Sequence, residues 1–309
     1  MNNFRFSSVT VSDEVSAALE EGRGVVALET TIVVQGLPAP VNIEVAKECE
    51  AAVRMSGSVP AAIGVLDGRV IVGLTTDELE TLASPVRHAA KLSSRDIGIA
   101  LALNNDGATT VAGTIAIARR VGINVMATGG LGGVHREASD SFDESADLVA
   151  LSRTPILVVA SGVKSILDIG ATLERLDTLG VPILGYQTKQ FPGFYLRDSG
   201  FSIDWSVATA DEAAAAFLRH REFSGTGLVV ANPVGADKEL DRDLHDEALE
   251  SALTKANLEG VSGKAVTPSL LAEFARHTAG VSVQVNRDLV VANALLAGDI
   301  AASIARLAA

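Results

Sequence analysis

The stretch PILVVASGVKSILDIGATLERLDTLGVPILGYQT, residues 155–188, decides the fold. Its ends, PILVVASG and VPILGYQT, are short apolar runs rich in Val and Ile, and KSILDIGATLERLDTLG between them repeats apolar residues at helical spacing until Gly180. Continuously apolar strands are buried on both faces, and a helix between two of them is the crossover that parallel strands require.

The alternation continues outward. TTVAGTIAIARRVG (109–122) reads as a helix, INVMATGG (123–130) as a strand entering a glycine-rich loop, and SADLVALSRT (145–154) as a helix. Nearer the N-terminus, GVVALETTIVV (24–34) reads as a strand that runs to a loop at Pro38 and Pro40. NIEVAKECEAAVRMSG (42–57) follows as a helix, with Ile43, Ala46, Cys49 and Val53 on one stripe. AAIGVLDGRVIVGLT (61–75) predicts a hairpin turning at Asp67 and Gly68, so the sheet is mixed. DEALESALTKANLEG, PSLLAEFARHT and RDLVVANALLAGDIAASIARLA read as helices near the C-terminus. The expected class is α/β with helices on both faces of a mixed central sheet. No low-complexity linker or fixed-period repeat interrupts it, so residues 1–309 read as one domain.

Composition narrows the chemistry. Of 309 residues, 48% are hydrophobic and 20% charged, which excludes a disordered chain. A net charge of −13 removes the phosphate-neutralising surface that a nucleic-acid polymer requires, yet allows one small anion in a local pocket. The single Cys49 excludes a disulfide framework and a cysteine zinc site, and reads as a core residue in a reducing compartment. The N-terminus has no basic flank followed by an apolar segment, and runs such as PILVVASGV stop well short of the ~20 residues that cross a bilayer. The expectation is a cytoplasmic protein with no membrane partner.

Ligands of open parallel sheets sit at the carboxyl ends of the strands. Those ends carry Glu29 after GVVAL, Thr128 and Gly129 after INVMA, and Lys164 after ILVVASG. The loop TGGLGGVHR (128–136) offers Gly129, Gly130, Gly132 and Gly133, which tolerate positive φ and let backbone N–H groups approach an anion. His135 and Arg136 add donors. The loop matches neither the dinucleotide fingerprint nor the P-loop, and a plain strand-to-loop turn is the alternative. Lys164 reads as the first residue of a helix, where the macrodipole disfavours the ammonium and suits the amine to Schiff-base chemistry; a solvated lysine is the alternative. Glu29 interrupts an apolar run and suits general-acid work, or else a structural hydrogen bond. Lys91 lies among Ser93, Ser94 and Arg95. Asp143, Ser145 and Asp147 offer hard oxygen ligands for Mg²⁺ or Mn²⁺, against a helix cap as the plainer reading. Five histidines and no paired spacing speak against a zinc hydrolase.

ALETTIVVQGLPAPVN, KLSSRD, DGATTVAGTI, ATGGLGGVHR, FDESADL, VASGVKSILDIG, LGYQT, GLVVANP and VQVNRDLVVANALLA occur in this order over nearly the whole chain. In these motifs the sequence resembles the pseudouridine-5′-phosphate glycosidase (indigoidine synthase A-like) family. The resemblance implies a three-layer α/β/α fold, a homotrimer, and reversible cleavage of the C–C bond joining ribose 5-phosphate to uracil. It implies Lys164 as the nucleophile that ends as an imine and Glu29 as the residue assisting ring opening and proton transfer. It places Lys91, Val111 and Thr128–Gly130 at the phosphate, Ser145, Ala146 and Asp147 along the substrate, and Asn286 at the base. Asp143 becomes the residue linked through water to Mn²⁺ or another divalent ion, with no organic cofactor. The small-molecule partners implied are pseudouridine 5′-phosphate, uracil and ribose 5-phosphate. Val34, Gln35, Glu137 and Ser269 depart from what some relatives carry. The alternatives are a sugar-phosphate lyase on another base and a non-catalytic accessory factor in pigment synthesis.

Overall fold

The computed structural model describes residues 8–261 and 266–308. The N-terminal residues 1–7 used in the targeting argument, and the outermost part of the 1–309 domain reading, lie outside the described residues. In chain order the first half contains β1 (Val9–Val11), α1 (Asp13–Glu20), β2 (Val25–Leu28), α2 (Val41–Met55), β3 (Val59–Leu66), β4 (Arg69–Val72), α3 (Thr76–Ala83), β5 (Ala90–Leu92), α4 (Ile97–Ala102), β6 (Gly107–Thr109), α5 (Val111–Arg120) and β7 (Val125–Ala127). There follow α6 (Ala138–Ser141), α7 (Ala146–Leu151), β8 (Leu157–Ala160), α8 (Ile169–Thr178), β9 (Ile183–Tyr186), β10 (Trp205–Val207), α9 (Ala210–Phe223), β11 (Leu228–Ala231), α10 (Arg242–Glu259), α11 (Val266–His277) and α12 (Val281–Ala308).

The strands form one sheet in the order β1-β4-β3-β2-β7-β8-β11-β9-β10, with β6 also on β3 and β5 on β6. From β3 through β10 every pairing is parallel. β3 meets β4 and β6 antiparallel, so the sheet is mixed as expected. The hairpin turns at Asp67 (φ 49°) and Gly68 (φ 68°), the double positive-φ turn that matches strand twist. β2, β8 and β11 are buried along their whole length, which is why they read as unbroken apolar runs. Helices cover both faces.

The helix α12 spans 28 residues and passes for a membrane span by length and composition, contrary to the expectation that no run comes near that length. It packs instead on β2, β7 and β8, flanked by α2 and α9, and 61% of its most apolar window is buried in the protein. Cys49 is buried in α2, where desolvation pushes its thiol up to about 12.

Candidate active site

β2, β7 and β8 are neighbours, so Glu29, Thr128–Gly130 and Ser161–Lys164 leave the sheet side by side. Glu29, Thr128–Gly130 and Lys164 line one cavity of about 730 Å³, and Lys91, Val111, His135, Asp143, Ser145–Asp147 and Asn286 border it too, whereas Gly133 and Arg136 are not among its lining residues.

Glu29 is not inside a strand. β2 stops at Leu28, and Ile32–Gly36 form a π-helical turn where the apolar run predicted strand to Val34. The anchor is Thr30, fully buried: its hydroxyl donates to the Ile63 carbonyl (2.8 Å) and accepts from Thr109 N–H (2.9 Å). That leaves the Glu29 carboxylate at the cavity wall, accepting from the hydroxyls of Thr31 and Thr128, one on each oxygen.

Lys164 does not open a helix. α8 starts at Ile169 behind its cap Asp168, so the macrodipole argument does not apply to the lysine. Residues 161–168 are instead an irregular turn stitched to the glycine loop: Leu131 N–H donates to Gly162 (2.9 Å), Lys164 N–H to Leu131 (3.1 Å) and Asp168 N–H to Val134 (2.9 Å). Gly162 is required here. Its φ is 77°, and a Cβ would overlap the Pro192 carbonyl oxygen. Arg136, read as an anion donor, spends its guanidinium on the carbonyls of Ile166 (3.3 Å) and Ser165 (3.4 Å), holding the lysine turn.

The glycine loop works by close approach. None of Gly129, Gly130, Gly132 or Gly133 has positive φ. A Cβ on Gly130 would meet the Phe194 ring at 2.6 Å, and one on Gly132 would overlap the Ser145 hydroxyl. Several loop amides serve the protein, among them Thr128 N–H on Val159 and Gly132 N–H on Asp147 (2.9 Å). Lys91 and the N-terminus of α5 also border the cavity. Thr110 caps α5 through Gly113 N–H, Val111 opens it, and Thr110 N–H holds the end of β5 at Leu92 (2.9 Å), one residue beyond Lys91.

Asp147 is buried, its carboxylate bridging Ala112 N–H (2.9 Å) and Gly132 N–H (2.9 Å), while Ser145 caps α7. Asp143 does not cap α7 and is half-exposed, 3.9 Å from His135 Nδ1. Burial holds His135 below its ordinary range against the pull of Asp143, and the nearby Lys91 and Lys164 push it further down. Both lysines therefore share the electrostatic field of this histidine. Glu137, where some relatives carry Gly, stands at φ 65°, a conformation glycine holds without strain.

Sequence reasoning missed Thr31, Phe194, Asn232 and Asn293, although all but Phe194 lie inside recognised motifs. The signal for Asn293 was an amide in an apolar helical run, seven residues after Asn286. Among the described residues, three buried oxygens on cavity residues have no partner, Gln35 Oε1, Ser93 Oγ and Asn286 Oδ1, a cost that a bound donor relieves.

Comparison with known proteins matches nearly the whole chain. A pseudouridine-5′-phosphate glycosidase of Salinispora tropica is 58% identical, over 96% of this chain and 92% of its own. A protein of the same name from Clostridium botulinum is 46% identical, over 96% and 97%. Among solved structures, a prealnumycin C-glycosynthase in complex with ribulose 5-phosphate superposes with a TM-score of 0.90 at 38% identity, over 98% of each chain. An indigoidine synthase A-like protein from Thermotoga maritima gives 0.88 at 35% identity, over 96% and 97%. The family model described as indigoidine synthase A like protein matches residues 14–303. The chain belongs to the indigoidine synthase A-like family.

Proposed function

We propose that this chain is an enzyme that reversibly cleaves the C–C glycosidic bond of pseudouridine 5′-phosphate to uracil and ribose 5-phosphate, with Lys164 as the imine-forming nucleophile. One observation carries the reading: an amine, a carboxylate held by two hydroxyls, a second lysine beside a helix N-terminus and a buried carboxamide border a single cavity. A C-glycoside has no heteroatom leaving group, so cleavage needs an electron sink at C1′ and a proton at C5. Ring opening breaks C1′–O4′, and O4′ departs with a proton, a transfer suited to Glu29. The Lys164 amine adds at C1′. Once C5 is protonated, the C1′–C5 pair moves into the uracil ring while the nitrogen lone pair closes the imine. Water then returns ribose 5-phosphate and free Lys164. Lys91 and the α5 terminus at Val111 suit the phosphate, and Asn286 suits the base.

Among the described residues no three His, Cys, Asp or Glu side chains converge on a metal. A single half-exposed carboxylate, Asp143, suits a divalent ion such as Mn²⁺ that keeps most of its waters. The ion would supply positive charge at that wall, and no step above depends on it. A homotrimer and a cytoplasmic location complete the proposal. Phe142, 85% exposed beside Asp143, and Trp205, 70% exposed on the edge strand β10, are apolar surfaces that a second copy would cover.

A second reading is synthesis of a C-glycosidic bond to an aglycone other than uracil, favoured by the likeness to a C-glycosynthase. The test measures uracil release from pseudouridine 5′-phosphate with and without Mn²⁺, alongside borohydride trapping with ribose 5-phosphate and intact-mass analysis. Release together with a covalent adduct that vanishes in Lys164→Ala is expected. An adduct that persists in that variant rules out Lys164, and no release from wild type rules out the reaction.

A further inference from the structure

Two asparagines of α12, Asn286 and Asn293, meet the glycine loop. Seven residues separate them, about two turns or ~10 Å along one face. Asn293 is fully buried, as are Leu289, Val290, Leu296 and Ala297 within a turn on either side of it in α12, a setting in which an amide is costly unless every polar atom is bonded. Its bonds all go to the carboxyl edge of the sheet. Nδ2 donates to the Thr128 carbonyl (2.8 Å), the Gly129 carbonyl (3.3 Å) and the Ser161 hydroxyl (3.0 Å). Oδ1 accepts from Asn232 Nδ2 (2.9 Å), just past β11. Turning the amide over would set Oδ1 against two carbonyls, so one orientation holds.

These partners follow β7, β8 and β11, three adjacent strands. Thr128 is the first residue after β7, and its own hydroxyl donates to Glu29. Gly129 packs beneath Asn286, whose Oδ1 would stand 3.3 Å from a Cβ at that position. The same rigid helix therefore sets where the loop lies relative to Asn286 and how Thr128 meets Glu29. A leucine would fill this core site but orphan the Thr128 carbonyl and the Asn232 amide, so what the buried asparagine contributes is a set of bonds across the strand ends.

We propose that Asn293 is a positioning residue: it clamps the Thr128 and Gly129 carbonyls and thereby holds the Thr128 hydroxyl on Glu29 and the loop under Asn286. The inference rests on the reaction proposed above. Asn293→Asp keeps the shape and loses the paired N–H donors. In the full-length protein acting on pseudouridine 5′-phosphate, kcat should fall about 100-fold, the scale of a 1 Å misplacement, with KM within about threefold. Thr128→Val should lower kcat in the same way, and the double variant should be no worse than the poorer single within about threefold, because both break one linkage. A purely structural role would instead lower the melting temperature and make the two losses multiply. Multiplying losses, or a kcat unchanged in Asn293→Asp, overturn the inference while wild-type turnover still supports the reaction. Absence of wild-type turnover overturns both. Should Asn293→Asp not fold, Asn293→Ser, too short to reach both carbonyls, is read by the same criteria.

Discussion

Asp147 offers the sharpest test of what the cavity wall is for. The resemblance places it along the substrate, whereas its two oxygens are engaged by Ala112 N–H and Gly132 N–H at 2.9 Å each, in a carboxylate 5% exposed. It bolts the first turn of α5 to the glycine loop. Asp147→Asn keeps one acceptor and turns an NH₂ toward the other N–H. The lost charge-assisted bond and the orphaned donor cost about 1.5–3 kcal/mol, and the lost charge near a helix N-terminus about 0.3–1 more. About 3 kcal/mol in total is expected. At ~2.1 cal/mol/K per residue, a chain of 309 residues unfolds with an entropy near ~650 cal/mol/K, so each kcal/mol moves Tm by ~1.5 °C. Calorimetric or circular-dichroism melts should therefore show Tm falling by about 5 °C. A Tm within about 1 °C of wild type, with a many-fold rise in KM for pseudouridine 5′-phosphate, would refute the reasoning: the carboxylate would then be serving the ligand.

Two further outcomes follow from geometry and charge. Gly162→Ala forces a side chain to φ 77° and brings Cβ within 2.9 Å of the Pro192 carbonyl carbon, so it should cost at least about 3 kcal/mol and displace Lys164 two residues on. Wild-type stability in urea with wild-type turnover would show that the turn tolerates the change. Arg276 beside Glu273, with Lys255 and Ser251 assisting, pulls that carboxyl down to about 2 from 4.5. A folded value below the unfolded one means the unfolded chain binds the proton first, so this stabilisation is present above pH 4.5 and lost as pH falls toward 2. Glu273→Gln should flatten the stability–pH curve in that window, and an unchanged curve would remove the ion cluster from the account.

The mixed parallel sheet was legible in the sequence, because strands buried on both faces must be unbroken apolar runs and the helices between them must carry a periodic stripe. The order of motifs named the family, and the rule that ligands sit at strand carboxyl ends points from the sequence to Glu29, Thr128 and Lys164. Burial of Cys49 and the Asp67–Gly68 turn were equally local matters. What a one-dimensional pattern does not hold is where a polar group spends its hydrogen bonds. The apolar run through Val34 conceals a π-helical turn, since composition does not register which carbonyl each N–H finds. Lys164 looked like the start of a helix, but its turn is tied to Leu131 across the sheet. The loop glycines suggested positive φ, and they are needed because Phe194 and Ser145 crowd them. Asn293 lies 165 residues from Thr128, and only the packing of α12 on β7 and β8 makes that amide part of the site. The sequence by itself determined which elements form and which residues reach one edge of the sheet, through local periodicity and burial. The tertiary structure alone decided which of those residues border the cavity and which hold its wall, because that depends on partners brought together from distant parts of the chain.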